Sequence, residues 1–473
     1  MGARSGIRWW LPALVVACLP LACAELRPNL VEVYPDAGAL PRRPVIIVPG
    51  VFGSRLMDER TGEVIWGRLT NLLTSRFKLI LNPTLSQATD LLDLPIDSTT
   101  MSENRDNLIA YDLFDEVAGR SFYKRIVQTL TEVAGYRFGD IEVPHADEDC
   151  FAFYYDWRRD VVENSRRLGE AIERVLATRA DSGQQGKVDI IAHSLGGIVA
   201  RYYINYGGED ALLPAGAAPT GAGARRVDTL VMIGVPNEGT LDTVESHNEG
   251  VRVGRRLPPE AIFTMPAAYQ TLPHGHDSAF IDQTGAPVDL DLYAPETWER
   301  YGWSVFEPER LSDLRKEIEG EFGERDAEER FKARLLLMRD FLASALERGK
   351  RLTQALDRPS PTGARVRTFA FGGDCTPTPA RAMILQGEDG GHRTVFRVKD
   401  LPDRLATERV RRLMEEPGDG SVTRASLLSL HEDPRLGTSL GIDYSLFLCD
   451  THRNLTENIT FQDNLLHFLL YRR

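Results

Sequence analysis

Basic residues are in short supply, with 56 Lys and Arg against 69 Asp and Glu, a net charge of −13. No cationic surplus exists to neutralise a phosphate backbone, which argues against a nucleic-acid partner. Electrostatic capture by an anionic membrane is disfavoured too, so any lipid contact has to be apolar. His, Asp and Glu nowhere gather at metal-ligand spacing, and no metal or other cofactor is expected. Internal repeats and low-complexity tracts are missing. Hydrophobic residues at 42% and charged ones at 26% leave the disordered, collagenous and multi-span membrane classes behind. Cysteine is scarce, with five in 473 residues.

What is present begins with "MGARSGIRWWLPALVVACLPLACAE". Arg4 and Arg8 make a basic start to an apolar stretch of secretory length, too short to span a bilayer stably. Residues 1–24 therefore read as an export signal, and the protein is expected to be secreted, periplasmic or lipid-anchored to a bacterial membrane. Ala22-Cys23-Ala24 fits a small-x-small cleavage site, while Cys23, or Cys18 after Val15-Val16-Ala17, fits a lipoprotein cysteine. Beyond the leader stand Cys150, Cys375 and Cys449. Cys375 with Cys449 is the expected disulfide, since both follow apolar runs assigned to one sheet edge; three buried free thiols are the alternative.

The chain then alternates buried strand-like runs with helical patterns, the mark of α/β units on a mostly parallel sheet. The runs are "RPVIIVPG" (43–50), "CFAFYYDW" (150–157), "KVDIIAH" (187–193), "RVDTLVMIGVP" (226–236), "RVRTFAFGG" (365–373) and "YSLFLCDT" (444–451). Residues 240–364 break the alternation with Pro- and Trp-bearing segments and a charged helix from about 325 to 357. They are expected to form a cap inserted between two parts of one core, residues 25–239 and 365–473.

The segment "IAHSLGGIVA" (191–200) puts a polar, small-residue turn between two buried runs. Strand, tight turn and helix explain it: the turn exposes Ser194 above the sheet, and the helix start beneath it favours developing negative charge. This is a nucleophile elbow, GxSxG with Ala192 in the place of the first glycine. A serine hydroxyl needs a base and an acid that orients the base. His193 adjoins the serine but is expected to project away from the tip in a structural role. His452 lies between the last strand and the last helix, where a loop can deliver an imidazole over the sheet; His431 is the alternative. For the acid, Asp374 ends a strand and Asp419 sits in the glycine-flanked loop "PGDGSV"; spacing does not separate them.

Taken together, "VIIVPGVFGSRL", "FYYDWR", "AHSLGG", "GVPNEGT", "GDGSV" and "DTHRNL" occur in an order that resembles the lecithin:cholesterol acyltransferase family, from about residue 43 to the C-terminus. The resemblance implies an α/β-hydrolase fold with helices on both sheet faces and a cap. It also implies a triad of Ser194, Asp419 and His452, with the backbone N–H groups of Val51 and Leu195 holding the oxyanion. Asp156, Trp157 and Arg158 then form a structural buried pair near the site. The partners expected are a lipid ester, phospholipid or acylglycerol, and a water or alcohol acceptor, with peripheral membrane contact left open. A small-ester carboxylesterase and an inactive exported scaffold are the rival readings. One departure stands out: "EVIWGRLTNLLTSRFKLILNP" (63–83) lacks the disulfide of the family's animal members, and Trp66, Leu72 and Leu73 face either lipid or core.

Overall fold

The computed structural model describes residues 28–67, 90–96, 106–114, 116–117, 120–121, 123–179, 186–212, 217–253, 255–275, 278–361, 365–387, 391–429 and 440–471. The expected export signal with Cys18 and Cys23, the pair Leu72 and Leu73, and His431 lie outside the described residues.

Seven strands make the central sheet: β1 (Val45–Val48), β2 (Phe138–Gly139), β3 (Cys150–Ala152), β4 (Val188–His193), β5 (Val227–Ile233), β6 (Arg367–Gly373) and β7 (Tyr444–Leu448). Their order across the sheet is β7-β6-β5-β4-β1-β3-β2, and every neighbouring pair is parallel. A parallel sheet has to be covered on both faces, which explains the β-branched runs without polar alternation. Ile46, Val48, Ile190 and Ala192 enter one apolar layer, and Val45, Ile47 and Ile191 enter the other, as the two-residue strand period requires. On the first face lie α1 (Val161–Ala177) and α2 (Leu195–Tyr206), which contribute Leu168, Ile172, Ile198 and Val199. The second face is covered in part by the C-terminal helix through Phe461, Leu465 and Leu469. The fold is that of an α/β-hydrolase.

Beyond β5 the chain builds a satellite. It includes α3 (Leu241–Glu249), α4 (Pro308–Phe322) and the long α5 (Glu324–Leu356), around a core of Phe263, Trp298, Trp303, Phe341 and Leu342. A cap ending at residue 364 was expected, whereas the satellite also takes in residues beyond it. Ala382–Gln386 pairs in parallel with Phe280–Asp282 and antiparallel with His392–Val395, and Ala382, Ile384 and Phe396 complete the satellite core. Conversely, Leu352, Ala355 and Leu356 at the end of α5 enter the main core. Arg348 of α5 bonds Asp160, the residue that caps α1, at 2.9 Å, joining satellite to core through a buried ion pair.

Trp66 is 1% exposed, donates its indole N–H to the Phe52 carbonyl at 3.1 Å and packs on Phe52 and Trp157, so its role is core. Arg158, fully buried, forks onto Asp156 and Asp106 at 2.7 Å each. Cys375 and Cys449 are disulfide-bonded, Cα to Cα 5.0 Å, joining the ends of β6 and β7. Cys150 is a buried free thiol whose pKa burial pushes up. No helix among the described residues is long and apolar enough to cross a membrane.

Candidate active site

The chain builds β3 on one side of β1 and then β4 on the other, so the strand order reverses beside β1, where α/β sheets bind ligands at the strands' carboxyl ends. Val48 is level with Ala192, and Ile233 with His193. The loops leaving β1, β4 and β5 therefore meet above the same edge. Ser194 leaves β4 with φ 53° and ψ −127°, a conformation costly for a residue with a side chain, and starts α2 at once. Its N–H donates to the Ile233 carbonyl at 2.9 Å. The turn is tight because glycines surround it. A Cβ on Gly196 would fall 2.4 Å from the Val48 carbonyl oxygen, and one on Gly50 would fall 2.7 Å from the Ser194 Cβ.

Asp419 and His452 arrive from the far end of the chain. His452 Nδ1 lies 2.7 Å from Asp419 Oδ2, and the His452 backbone N–H donates to the Asp419 carbonyl at 2.8 Å. The N–H groups of Val422 (2.7 Å) and Ser421 (3.0 Å) fix the other carboxylate oxygen. Burial alone would raise the Asp419 pKa, but the charge and hydrogen bond of His452 and the two amides outweigh it, leaving the carboxyl below its usual range. For His452, burial pulls down and Asp419 with Asp242 pulls up, and the result lies above the usual histidine value. Of the two aspartates that spacing left open, Asp419 is the one bonded to an imidazole. Asp374 lies next to the disulfide, with a carboxylate oxygen 3.6 Å from the Cys375 sulfur.

Sequence reasoning passed over two neighbours. Gly234, just past β5 with φ 53°, lies under the pair: a Cβ there would fall 2.8 Å from His452 Nδ1 and 2.9 Å from Asp419 Oδ2. The signal was the glycine ending an apolar strand run. Asp242, in the first turn of α3, accepts from Arg397 at 2.8 Å, and burial raises its pKa to about 6. His193, expected in a structural role, has its ring 4.8 Å from that of His452.

Ser194, Leu195, Val51, His452 and Asp242 line one cavity of about 300 Å³. Its walls are mostly apolar, with Phe52, Phe114, Trp157, Ile262 and Met265 among them. Leu195 is the first residue of α2, so its N–H has no partner within the helix. Phe52, beside Val51, holds φ 64°, a second strained residue at the cavity. The arrangement offers a strained hydroxyl, a carboxylate-held imidazole and helix-start amides around an apolar space. Among the described residues no group of His, Cys, Asp and Glu is arranged to hold a metal.

The family model of lecithin:cholesterol acyltransferase matches residues 65–270. That stretch is less than half of the chain and contains Ser194 but neither Asp419 nor His452. A chain in the crystal structure of the Tle4–Tli4 complex is similar to this one at 13% identity and a TM-score of 0.51, with 90% of this chain and 98% of that chain covered. At that identity the likeness concerns the fold. A comparison with curated proteins finds no match.

Proposed function

Because this chain is related to the lecithin:cholesterol acyltransferase family through residues 65–270, we propose that it is a serine acyl-transfer enzyme acting on lipid esters. The observation that carries the reading is the Asp419–His452 pair, bonded at 2.7 Å, with His452 lining the same apolar cavity as Ser194. Asp419 holds Nδ1 of His452 as N–H, so Nε2 is the nitrogen that takes the Ser194 proton as Oγ attacks the ester carbonyl. The oxyanion is held by the N–H groups of Leu195 and Val51. As the carbonyl re-forms, the ester C–O bond breaks, His452 returns its proton to the leaving alcohol, and an acyl-Ser194 ester remains. A second hydroxyl compound then repeats the steps in reverse. Water makes the protein a lipase or phospholipase; an alcohol makes it an O-acyltransferase. Apolar walls suit an acyl chain better than a polar substrate. We further propose export, supported by the leader sequence and by a disulfide that an oxidising compartment preserves.

The test is product analysis with an acyl-labelled phospholipid in vesicles, with and without added alcohol. Label should leave the phospholipid as fatty acid, as a new ester, or as both, and Ser194→Ala should abolish its release. Cleavage of short soluble esters alone would favour the carboxylesterase. No turnover of any ester, with Ser194 unreactive to a fluorophosphonate, would favour the inactive scaffold.

A further inference from the structure

His193 ends β4 and precedes the candidate nucleophile, yet its ring makes contacts that reach the loops on either side. Nε2 lies 3.2 Å from the backbone oxygen of His452. A carbonyl only accepts, so Nε2 carries the hydrogen and Nδ1 is left as an acceptor. Nδ1 lies 2.8 Å from the Tyr123 hydroxyl, which is then the donor, and that hydroxyl oxygen in turn accepts the Gly50 N–H at 2.8 Å. Every proton in the chain is thereby assigned. It runs from Gly50 N–H to Tyr123 O–H to His193, and on through Nε2–H to the carbonyl of His452.

The relay requires a neutral ring, since protonation at Nδ1 would oppose the Tyr123 hydroxyl with a second donor. Burial, aided by the nearby His452, pushes the His193 pKa down to about 3, so the neutral form persists across the working range. The result is a base held at both backbone polar groups. Its N–H is held by the Asp419 loop and its carbonyl by the residue before Ser194. The chain starts at Gly50, adjacent to Val51, and so links the three loops whose relative placement acyl transfer depends on.

We propose that His193 is a positioning residue: its Nε2–H fixes the loop that carries His452, and Tyr123 fixes the tautomer that makes this donation available. The inference rests on the reading of Ser194 and His452 as nucleophile and base. A ring that merely filled space would act through volume, so an isosteric replacement would serve whether or not it could donate. A positioning ring acts through its N–H.

The experiment compares His193→Gln, which keeps an N–H donor, with His193→Met, which is similar in shape and has none. Steady-state kinetics on a soluble p-nitrophenyl ester and thermal unfolding are measured for both, alongside wild type and Ser194→Ala. Loss of one buried hydrogen bond to the loop should lower kcat of His193→Met by about 10- to 100-fold with KM within about threefold, while His193→Gln stays within about fivefold of wild type. Equal kcat for the Gln and Met variants, both folded, overturns the proposal. Should His193→Met fail to fold, Tyr123→Phe decides. A kcat lowered about three- to tenfold at unchanged KM supports the relay, and wild-type kcat overturns it. Wild-type protein no more active than Ser194→Ala would instead refute the enzymatic reading itself.

Discussion

At the scale of single residues, the account divides the aspartates sharply. Asp419 is 2% exposed and bonded to His452, whereas Asp374 makes no such contact. Asp419→Asn should lower kcat by about 10⁴-fold because the amide supports the wrong tautomer. Asp374→Asn should leave kcat within about twofold, a background expected of a change outside the machinery. Steady-state rates on one ester check both. The pH dependence follows from the groups around His452, which are Asp419, Asp242, Arg453 and His193. The base works when neutral, so activity falls as pH drops through its folded pKa, which is raised; the acid limb should lie above that of a free imidazole, about 6.5. Removing one of the carboxylates that raise it, by Asp242→Asn, should move the limb of kcat/KM to lower pH, and an unmoved limb counts against this electrostatic picture. By the same linkage, the raised His452 contributes stability that is full below the unfolded histidine pKa and is lost as pH rises through the folded one. Gly234→Ala should cost most of the activity, because a Cβ would crowd His452 Nδ1 at 2.8 Å on a backbone with φ 53°. Kinetics together with circular dichroism would separate this from unfolding. Ser194 was legible in the sequence through its flanking apolar runs, whereas the closeness of Gly234 and His193 to His452 was not. Those contacts join residues more than 200 positions apart in the chain, a pairing that no local pattern encodes.

At the scale of elements, the edge formed by β6 and β7 governs the loop that presents His452. Gly373 is level with Leu448, and the disulfide joins Cys375, two residues past the end of β6, to Cys449, one residue past the end of β7. Closing a loop of sequence separation 74 contributes about 4 kcal/mol by restricting the unfolded chain. The double variant Cys375→Ser with Cys449→Ser should therefore unfold roughly 4 °C earlier. It should also turn over more slowly than wild type at temperatures where both are folded, since Cys449 lies close to His452 in sequence. Calorimetry and kinetics on the same samples test the two halves, and an unchanged Tm would show that the bond restrains nothing. The pairing itself could be anticipated because both cysteines follow apolar runs, and apolar runs in an α/β chain become neighbouring strands. The two-residue β2 could not be anticipated, because Phe138–Gly139 is too short to show a period.

At the scale of the whole molecule, the parallel sheet was legible because burial on both faces imposes continuous Val, Ile and Phe runs. The satellite was less so. Its start shows as a break in the strand and helix alternation, but its small sheet joins Phe280–Asp282 to Ala382–Gln386, and that pairing depends on tertiary packing across about a hundred residues. The long helix α5 belongs to both bodies, with Phe341 and Leu342 in one core and Leu352 and Leu356 in the other. This shared helix ties the satellite to the fold whose strand loops carry the candidate chemistry. The central claim is that Ser194 is a nucleophile made reactive by His452. It is tested most directly by the rate and site of fluorophosphonate labelling in wild type and His452→Ala, read by peptide mass mapping. The account predicts labelling at Ser194 in wild type and a rate at least about 10³-fold lower in the folded variant. Labelling at another residue, or an equal rate in both proteins, would contradict it.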